Sequence, residues 1–173
     1  HLDHLLRIEE GPFVPSRNNR DRGSFLDSFP MEYPAHGLGD YREDCISIRT
    51  GEGNTGLSLN YVSHKIILGK PALEGLPASF GTEQECETLE ITCRDSHIGL
   101  EAVLMYTVFE DVDVITRSVK VVNASEKTLF LTRVMSACLD MDNPDFEAVT
   151  LHGSWARERH IQTVPVSHAK LSV

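Results

Sequence analysis

Apolar and polar residues alternate along most of the chain after Cys45, which is the pattern of half-buried β-strands. In the run at 115–121 a charged residue, Arg117, shares the face of its apolar neighbours. The alternation therefore predicts a chain built from short strands. The apolar positions of the four clearest runs are Ile46 and Ile48; Leu57, Leu59 and Tyr61; Leu89, Ile91 and Cys93; and Ile115, Val119 and Val121.

Turn-forming residues separate these runs. The glycine-rich segment 51–56 can adopt positive φ angles, so we predict a hairpin turn there, and segments 94–97 and 123–127 are predicted to be turns of the same kind. The only clear helical candidate is short, at 24–29, and it ends at Pro30. Several strands at this spacing predict an all-β fold, an antiparallel β-sandwich or barrel.

The first 44 residues differ from the rest because they hold four prolines, many charges and little alternation. We expect residues 1–44 to be an irregular, loop-rich segment that packs on the scaffold or on a partner. Residues 45–173 are expected to supply the antiparallel strands of a single partial domain, 1–173. The chain opens without a Met or a signal pattern and stops without a closing signal, so we expect it to be truncated at both ends.

Composition narrows the possible partners. The formal net charge is −10, with the 16 basic residues mostly scattered, which disfavours a nucleic-acid or anionic-membrane partner. No apolar run is long enough to span a bilayer. The four cysteines lack metal-site and redox spacing, so we expect reduced, buried or partly buried thiols and a cytoplasmic protein.

Candidate chemistry is weak when judged on residue types alone. Acidic residues are abundant, but most follow strands or sit in turns, where a solvated carboxylate is the common outcome. The eight histidines share no ligand spacing, although His1 and His4 could bind a metal adventitiously. There is no nucleophile elbow and no phosphate-binding loop. We therefore predict no catalytic residue, no metal site and no cofactor.

The segment 153–160 stands out because it contains the only tryptophan, Trp155, close to Arg157 and His160. An exposed indole beside a guanidinium suits sugar binding, since sugar ring faces stack on indole and hydroxyls accept hydrogen bonds from arginine. The alternative is a strand whose Trp155 fills the core while its charged neighbours pair at a domain interface. Both interpretations of Trp155 and Arg157 stay open on the motif alone.

Several ordered blocks of the sequence, covering about residues 32–160, resemble family 36 α-galactosidases. The most specific is Glu32-Tyr33-Pro34 followed by the glycines and Asp40-Tyr41-Arg42, which is similar to the family's E-Y-P-x-x-G-x-x-D-[FY]-R stretch. The remaining blocks are 61–66, 69–71, 73–78, 87–91, 106–111, 115–118 and 155–159.

This resemblance implies a galactose-mutarotase-like β-supersandwich that precedes a catalytic (β/α)₈ barrel in the parent enzyme. It implies a parent that hydrolyses terminal α-galactosyl groups of sugars such as melibiose and raffinose with retention. The family's K-W-D nucleophile motif and second catalytic Asp belong to the barrel, and this chain contains no K-W-D motif. Family tetramers in which N-terminal loops reach a neighbouring active site make Arg22, and less strongly Glu10, candidate sugar contacts in trans.

We therefore expect a non-catalytic N-terminal domain that serves as scaffold, as oligomer contact and as part of a neighbour's active-site rim. Its expected partners are the rest of the α-galactosidase chain, further copies of itself in a homo-oligomer, and the α-galactoside substrate. Two alternatives from other classes are a free-standing carbohydrate-binding β-sandwich module and a mutarotase-like enzyme. The latter would need a histidine and a carboxylate converging in a cleft.

Overall fold

The computed structural model describes residues 31–37, 43–75, 78–139 and 145–166. Every regular element in these ranges is a strand, and none of the described residues forms a helix long and apolar enough to cross a membrane. The chain divides into two compact units, the first ending at Leu139 and the second beginning at Asp140. The strands are β1 (Ile46–Thr50), β2 (Asn60–Leu68), β3 (Cys86–Asp95), β4 (Leu100–Phe109), β5 (Val114–Asn123), β6 (Leu129–Val134), β7 (Glu147–Ser154) and β8 (Arg157–Pro165).

The larger sheet of the first unit is an antiparallel meander in the order β2-β3-β4-β5. Its register places Ile91, Leu104 and Val119 in one row across β3, β4 and β5, so the alternating apolar residues of these strands share one face. The β3–β4 turn closes at Gly99, whose φ of +75° is a conformation that favours glycine. The turn predicted at 94–97 is confirmed as a β-hairpin.

A smaller sheet, in which β1 pairs antiparallel with β6, covers this apolar face. Ile46 and Ile48 of β1 are almost completely buried and belong to the same core cluster as the apolar residues of β3 and β4. The two layers form a β-sandwich, which confirms the predicted all-β antiparallel fold. The buried members of the core are Tyr33, Ala35, Cys45, Ile46, Ile48, Leu57, Ile91, Leu100, Ala102, Leu104 and Tyr106.

The predictions of hairpins at 51–56 and at 123–127 are wrong. A tight turn does form at the first, where the Thr50 amide donates to the Asn54 carbonyl (2.8 Å). However, β1 and β2 belong to different sheets, and so do β5 and β6. Both connections carry the chain from one sheet to the other. The apolar face of β1 packs onto the larger sheet, and β1 does not pair with that sheet as an edge strand.

The alternating run at 57–61 was predicted to be one strand, but β2 begins only at Asn60. Leu57 is 2% exposed and Leu59 is half-buried, so both pack into the core from the extended connection that precedes β2. Tyr61, in contrast, is 41% exposed. The run was apolar because the connection enters the core, and not because it is paired in a sheet.

Part of the segment predicted to be irregular can be described, namely residues 31–37 and 43–44. Tyr33 and Ala35 are buried in the core, and Ala35 makes an isolated parallel bridge to Ile46 at the start of β1. The segment thus contributes to the sandwich. The predicted short helix at 24–29 lies outside the described residues.

The second unit is described through a single antiparallel hairpin, β7–β8. Its strands are joined by the two residues Trp155 and Ala156, and a β-bulge interrupts the register between His152 and Ser154. Most of its side chains are exposed.

Candidate functional site

A partly buried polar cluster joins three of the sequence blocks that carry the family resemblance. The Tyr106 hydroxyl donates to the Glu32 carboxylate, and the Arg117 guanidinium pairs with the same carboxylate at 2.8 Å. Arg117 also donates to the Tyr106 hydroxyl (3.0 Å) and the Cys138 carbonyl (3.0 Å), and its guanidinium carbon lies 4.6 Å from the Tyr106 ring centroid. These contacts fasten the segment around Glu32 to β4 and β5.

The electrostatics of this cluster favour a structural role. Burial, followed by the hydrogen bond to Glu32, raises the pKa of Tyr106 far above its ordinary value, so the phenol stays protonated. Burial likewise raises the pKa of Tyr33 to about 12, and its hydroxyl donates to the Met135 carbonyl (2.8 Å). Phenols held neutral in this way serve as hydrogen-bond donors and are poor acid–base catalysts at neutral pH.

Sequence reasoning did not identify this cluster, although one signal pointed to it. Arg117 sits on the same face of β5 as Val119 and Val121, both of which pack against the core. A guanidinium on such a face needs a buried acceptor. Glu32 is that acceptor, but its position 85 residues earlier in the chain cannot be found from local pattern.

The abundant acidic residues do not pair with one another in the hydrogen bonds and ion pairs of the described residues. Glu43 pairs with Arg133, and Asp44 accepts from the Ser47 hydroxyl (2.9 Å) and contacts the His36 ring (2.9 Å). Asp95 accepts backbone N–H groups from three residues and so holds a turn together. The turn between β4 and β5 carries the exposed Glu110, Asp111 and Asp113. Each of these carboxylates has a structural or solvated setting.

Trp155 and Arg157 lie at the tip of the β7–β8 hairpin. The Trp155 side chain is 93% exposed, so within the described residues it does not fill a core, and the interpretation of Trp155 as a buried strand residue is wrong. It stands in the turn because Ala156 adopts a φ of +63° and Arg157 begins β8. Whether this exposed indole and Arg157 contact a sugar or another protein stays a prediction.

Gly153 explains the shape of this hairpin. A Cβ at position 153 would overlap the Arg157 carbonyl oxygen and lie 2.7 Å from the Glu158 Cα, so the bulge admits only glycine. Arg159, on the other strand, has a φ of +61°. The close approach of the two strands fixes the hairpin end that carries Trp155.

The two candidates for a sugar contact in trans, Arg22 and Glu10, lie outside the described residues. Both stay predictions.

The described residues contain no group of three or more histidine, cysteine or acidic side chains placed to hold a metal ion. Two exposed histidines have polar partners, since His36 contacts Asp44 and the Tyr61 hydroxyl lies 2.6 Å from the His64 Nδ1. All four cysteines are thiols rather than disulfides and are buried or half-buried, as predicted. Burial raises the pKa of the Cys93 thiol, which makes it a poor nucleophile.

An open cleft of about 1050 Å³ lies beside the turn that follows β1. Its floor includes Leu57 and Leu129, and its rim carries the exposed ion pair of Lys127 with Glu52 (3.4 Å). Asp95 also lines the cleft, but the carboxylate is already occupied by backbone N–H groups. The cleft is large enough for a sugar. Among the described residues that line it, none is a tryptophan, tyrosine or phenylalanine, so this part of the cleft offers no aromatic platform.

Comparison with known proteins agrees with the geometry. Residues 5–173 match the family model described as the glycosyl hydrolase family 36 N-terminal domain. The α-galactosidase AgaA of Geobacillus stearothermophilus is 41% identical over 155 residues, which are 89% of this chain and 21% of that protein. The bifunctional α-galactosidase/sucrose kinase AgaSK of Mediterraneibacter gnavus is 35% identical over 99% of this chain and 18% of its own length.

Solved structures show the same relationship in three dimensions. The crystal structure of the family 36 α-galactosidase AgaB from Geobacillus stearothermophilus superposes with a TM-score of 0.80 at 41% identity, over 90% of this chain and 22% of that chain. An AgaA variant in complex with raffinose gives a TM-score of 0.81 at 38% identity, over 96% and 23%. The chain thus spans about a fifth of the length of the relatives it matches. The β-sandwich, the matching sequence blocks and the length over which the family model matches agree with one another. The chain belongs to the glycosyl hydrolase family 36 N-terminal domain family.

Proposed function

We propose that this chain is the non-catalytic N-terminal domain of an α-galactosidase that hydrolyses terminal α-galactosyl residues of oligosaccharides such as melibiose and raffinose. Hydrolysis is carried out by the rest of the parent protein, since this chain matches only about a fifth of the length of its relatives. One observation carries the proposal. The residues that carry the family resemblance, Glu32, Tyr106 and Arg117, bond to one another in the interior instead of lining an open cleft.

The direct test compares this chain with its full-length parent on a nitrophenyl α-galactoside. We expect the parent to release nitrophenol and the purified chain to release none. Turnover by the chain that survives further purification would contradict the non-catalytic role. Mutarotation of galactose, followed by polarimetry, tests the mutarotase-like alternative in the same samples. A rate above buffer would support that alternative.

We further propose that the β7–β8 hairpin contributes to an oligomer interface. Its exposed apolar side chains, Val149, Leu151 and Ile161, are 62–72% accessible, and the 93% exposed Trp155 lies at the tip. Contiguous exposed apolar surface of this kind is typical of protein contacts, and tryptophan is enriched in their energetic centres. This argument concerns the hairpin alone.

Light scattering of the parent protein tests the interface. Trp155→Ala should shift the assembly towards smaller species, while the exposed turn variant Glu126→Ala should leave its mass unchanged. The measurement is made at protein concentrations where about half of the wild-type assembly is dissociated. If the average mass of Trp155→Ala equals that of the wild type there, Trp155 is not part of the interface.

The contact in trans is proposed for Arg22 and, as a weaker candidate, Glu10. In the parent enzyme, Arg22→Ala should lower kcat/KM on raffinose by about 10- to 100-fold, as expected for loss of a charged hydrogen bond to substrate. Arg20→Ala, two positions away, is the matched control and should have little effect. Equal effects of the two variants would exclude a specific contact by Arg22.

A carbohydrate-binding module remains the second candidate because the Trp155 indole is exposed and Arg157 lies two residues later. Isothermal titration of the chain with galactose and raffinose distinguishes the two. Saturable heat that disappears in Trp155→Ala would favour the module, and its absence would favour the architectural role.

A cytoplasmic location is proposed from the four thiols, and fractionation of the source cells tests it.

A further inference from the structure

Two histidines face each other across the β7–β8 hairpin. His152 in β7 is directly opposite His160 in β8, immediately before the bulge, and their ring centroids are 6.0 Å apart with an angle of 36° between the planes. Both side chains are exposed. The pair lies in one register position of a two-stranded sheet, so the backbone fixes the spacing of the two rings.

The ring nitrogens of this pair are not used elsewhere in the described part of the hairpin. None of its hydrogen bonds or ion pairs involves the imidazole of His152 or His160, whereas His36 contacts Asp44 and His64 contacts Tyr61. Thr150 and Gln162, which are opposite each other two positions along, lie on the same face and carry neutral oxygens. On the side away from the bulge, the face therefore offers two imidazoles with neutral neighbours.

We propose that His152 and His160 form a two-histidine binding site for a first-row divalent transition metal such as Cu²⁺, Ni²⁺ or Zn²⁺. Metal–imidazole bonds are about 2.0–2.1 Å long, so two rings on adjacent coordination positions have centroids roughly 5 Å apart. Because the observed 6.0 Å is close to this value and both side chains are exposed, side-chain rotation is enough to bring the nitrogens onto one ion. Water completes the coordination.

The donor type selects the ion. Imidazole suits Cu²⁺, Ni²⁺ and Zn²⁺, whereas Ca²⁺ and Mg²⁺ require several charged oxygens, and the site supplies none of its own. Affinity should follow the usual order, with Cu²⁺ the tightest. The formal charge of −10 on the chain raises the local concentration of cations.

Binding would have a structural effect as well. The ion joins β7 to β8 next to the bulge and so crosslinks a two-stranded hairpin, an element that is marginally stable by itself. An ion that binds the folded hairpin and not the unfolded one stabilises it by mass action. This inference is independent of the proposed α-galactosidase activity.

The chain contains its own reporter for the test, because Trp155 is its only tryptophan and lies three residues after His152. Titration of the 173-residue chain with Cu²⁺ should quench Trp155 fluorescence to saturation, with one ion per chain by isothermal titration. The background carries His1→Ala and His4→Ala, which remove the adventitious amino-terminal site.

In this background, His152→Ala and His160→Ala should each weaken Cu²⁺ binding by about tenfold or more. Mutation of a residue that only hydrogen-bonds to a metal ligand already lowers metal affinity by about 10- to 100-fold. His97→Ala, an exposed histidine in the first unit, should change nothing. Far-UV circular dichroism is the check that each variant remains folded. Binding that is unchanged when both His152 and His160 are replaced, or that falls equally with His97→Ala, would overturn the proposal. A Zn²⁺-dependent shift of both imidazole resonances in NMR spectra is the second readout.

Discussion

Replacement of Arg117 tests whether the buried polar cluster stabilises the sandwich. Arg117→Met keeps most of the aliphatic stem but removes the ion pair with Glu32, two hydrogen bonds and the contact with the Tyr106 ring. The side chain of Arg117 is only 12% exposed, while that of Glu32 is 30% exposed. The Glu32 carboxylate, which keeps the Tyr106 hydroxyl as a donor, will thus be partly rehydrated.

These exposures determine the expected magnitude. Breaking a fully buried pair by removing one partner costs about 3–5 kcal/mol. Because water reaches Glu32, we expect Arg117→Met to lower the free energy of unfolding by about 2–3 kcal/mol. The matched control is Arg133→Met, which breaks the pair with Glu43, where the two side chains are 37% and 51% exposed. An exposed pair of that kind contributes about 0–1 kcal/mol.

Urea unfolding followed by far-UV circular dichroism measures both variants. Trp155 fluorescence is unsuitable, because the indole is already exposed in the folded chain. A double-mutant cycle with Glu32→Gln isolates the Glu32–Arg117 coupling, which we expect to be about 1 kcal/mol. Equal destabilisation by Arg117→Met and Arg133→Met, at unchanged m-value, would refute the reasoning.

Three further outcomes follow from buried polar groups. Burial raises the pKa of Tyr33 to about 12 and that of Tyr106 further, whereas an unfolded tyrosine ionises near 10. Stability should therefore be complete below pH 10 and fall above it by about 1.4 kcal/mol per pH unit per tyrosine, and Tyr33→Phe should roughly halve this slope in urea titrations. Thr88→Val should cost about 1–3 kcal/mol by thermal or urea unfolding, because Thr88 is fully buried and bonds both a backbone carbonyl and the Thr107 hydroxyl at 2.8 Å. Although burial opposes it, hydrogen bonds from three backbone N–H groups lower the pKa of Asp95, so its stabilisation should be present at neutral pH and lost in acid, and Asp95→Asn should flatten the acid arm of the stability–pH curve.

The local part of the fold could be predicted from sequence. Strands β3 and β5 each carry their own alternation, whereas β4 holds a continuous apolar run at 102–106 that the alternation did not predict. The three strands follow one another through short turns, so neighbours in sequence become neighbours in the sheet. The same reasoning failed for β1 and β6, because a short apolar strand gives no sign of which distant strand it will pair with. Turn residues such as Gly51 and Gly53 predict a change of direction, and the destination is set by tertiary packing.

The candidate site was less predictable for a related reason. The exposure of Trp155 depends on Gly153, Ala156 and the bulge, which together place the indole in a turn instead of a strand. A side chain that is large and apolar is normally assigned to a core, and nothing in the residue type opposes that assignment. Likewise, the partner of Arg117 comes from a segment that is remote in the chain.

The pairing of β1 with β6 also has a consequence for synthesis on the ribosome. Thr50 pairs with Leu129, so about 80 residues must be made before β1 can find its partner. At typical elongation rates this takes roughly 4–16 s, during which the β2–β5 meander can already assemble from local hairpins. We expect pulse-labelled hydrogen exchange during refolding to show amides of β3 and β4 protected before those of β1, and simultaneous protection would contradict this order. The isoleucines of β1, which are buried in the folded chain, would thus stay exposed on the nascent chain until β6 has been synthesised. During this interval they are available for binding by a chaperone.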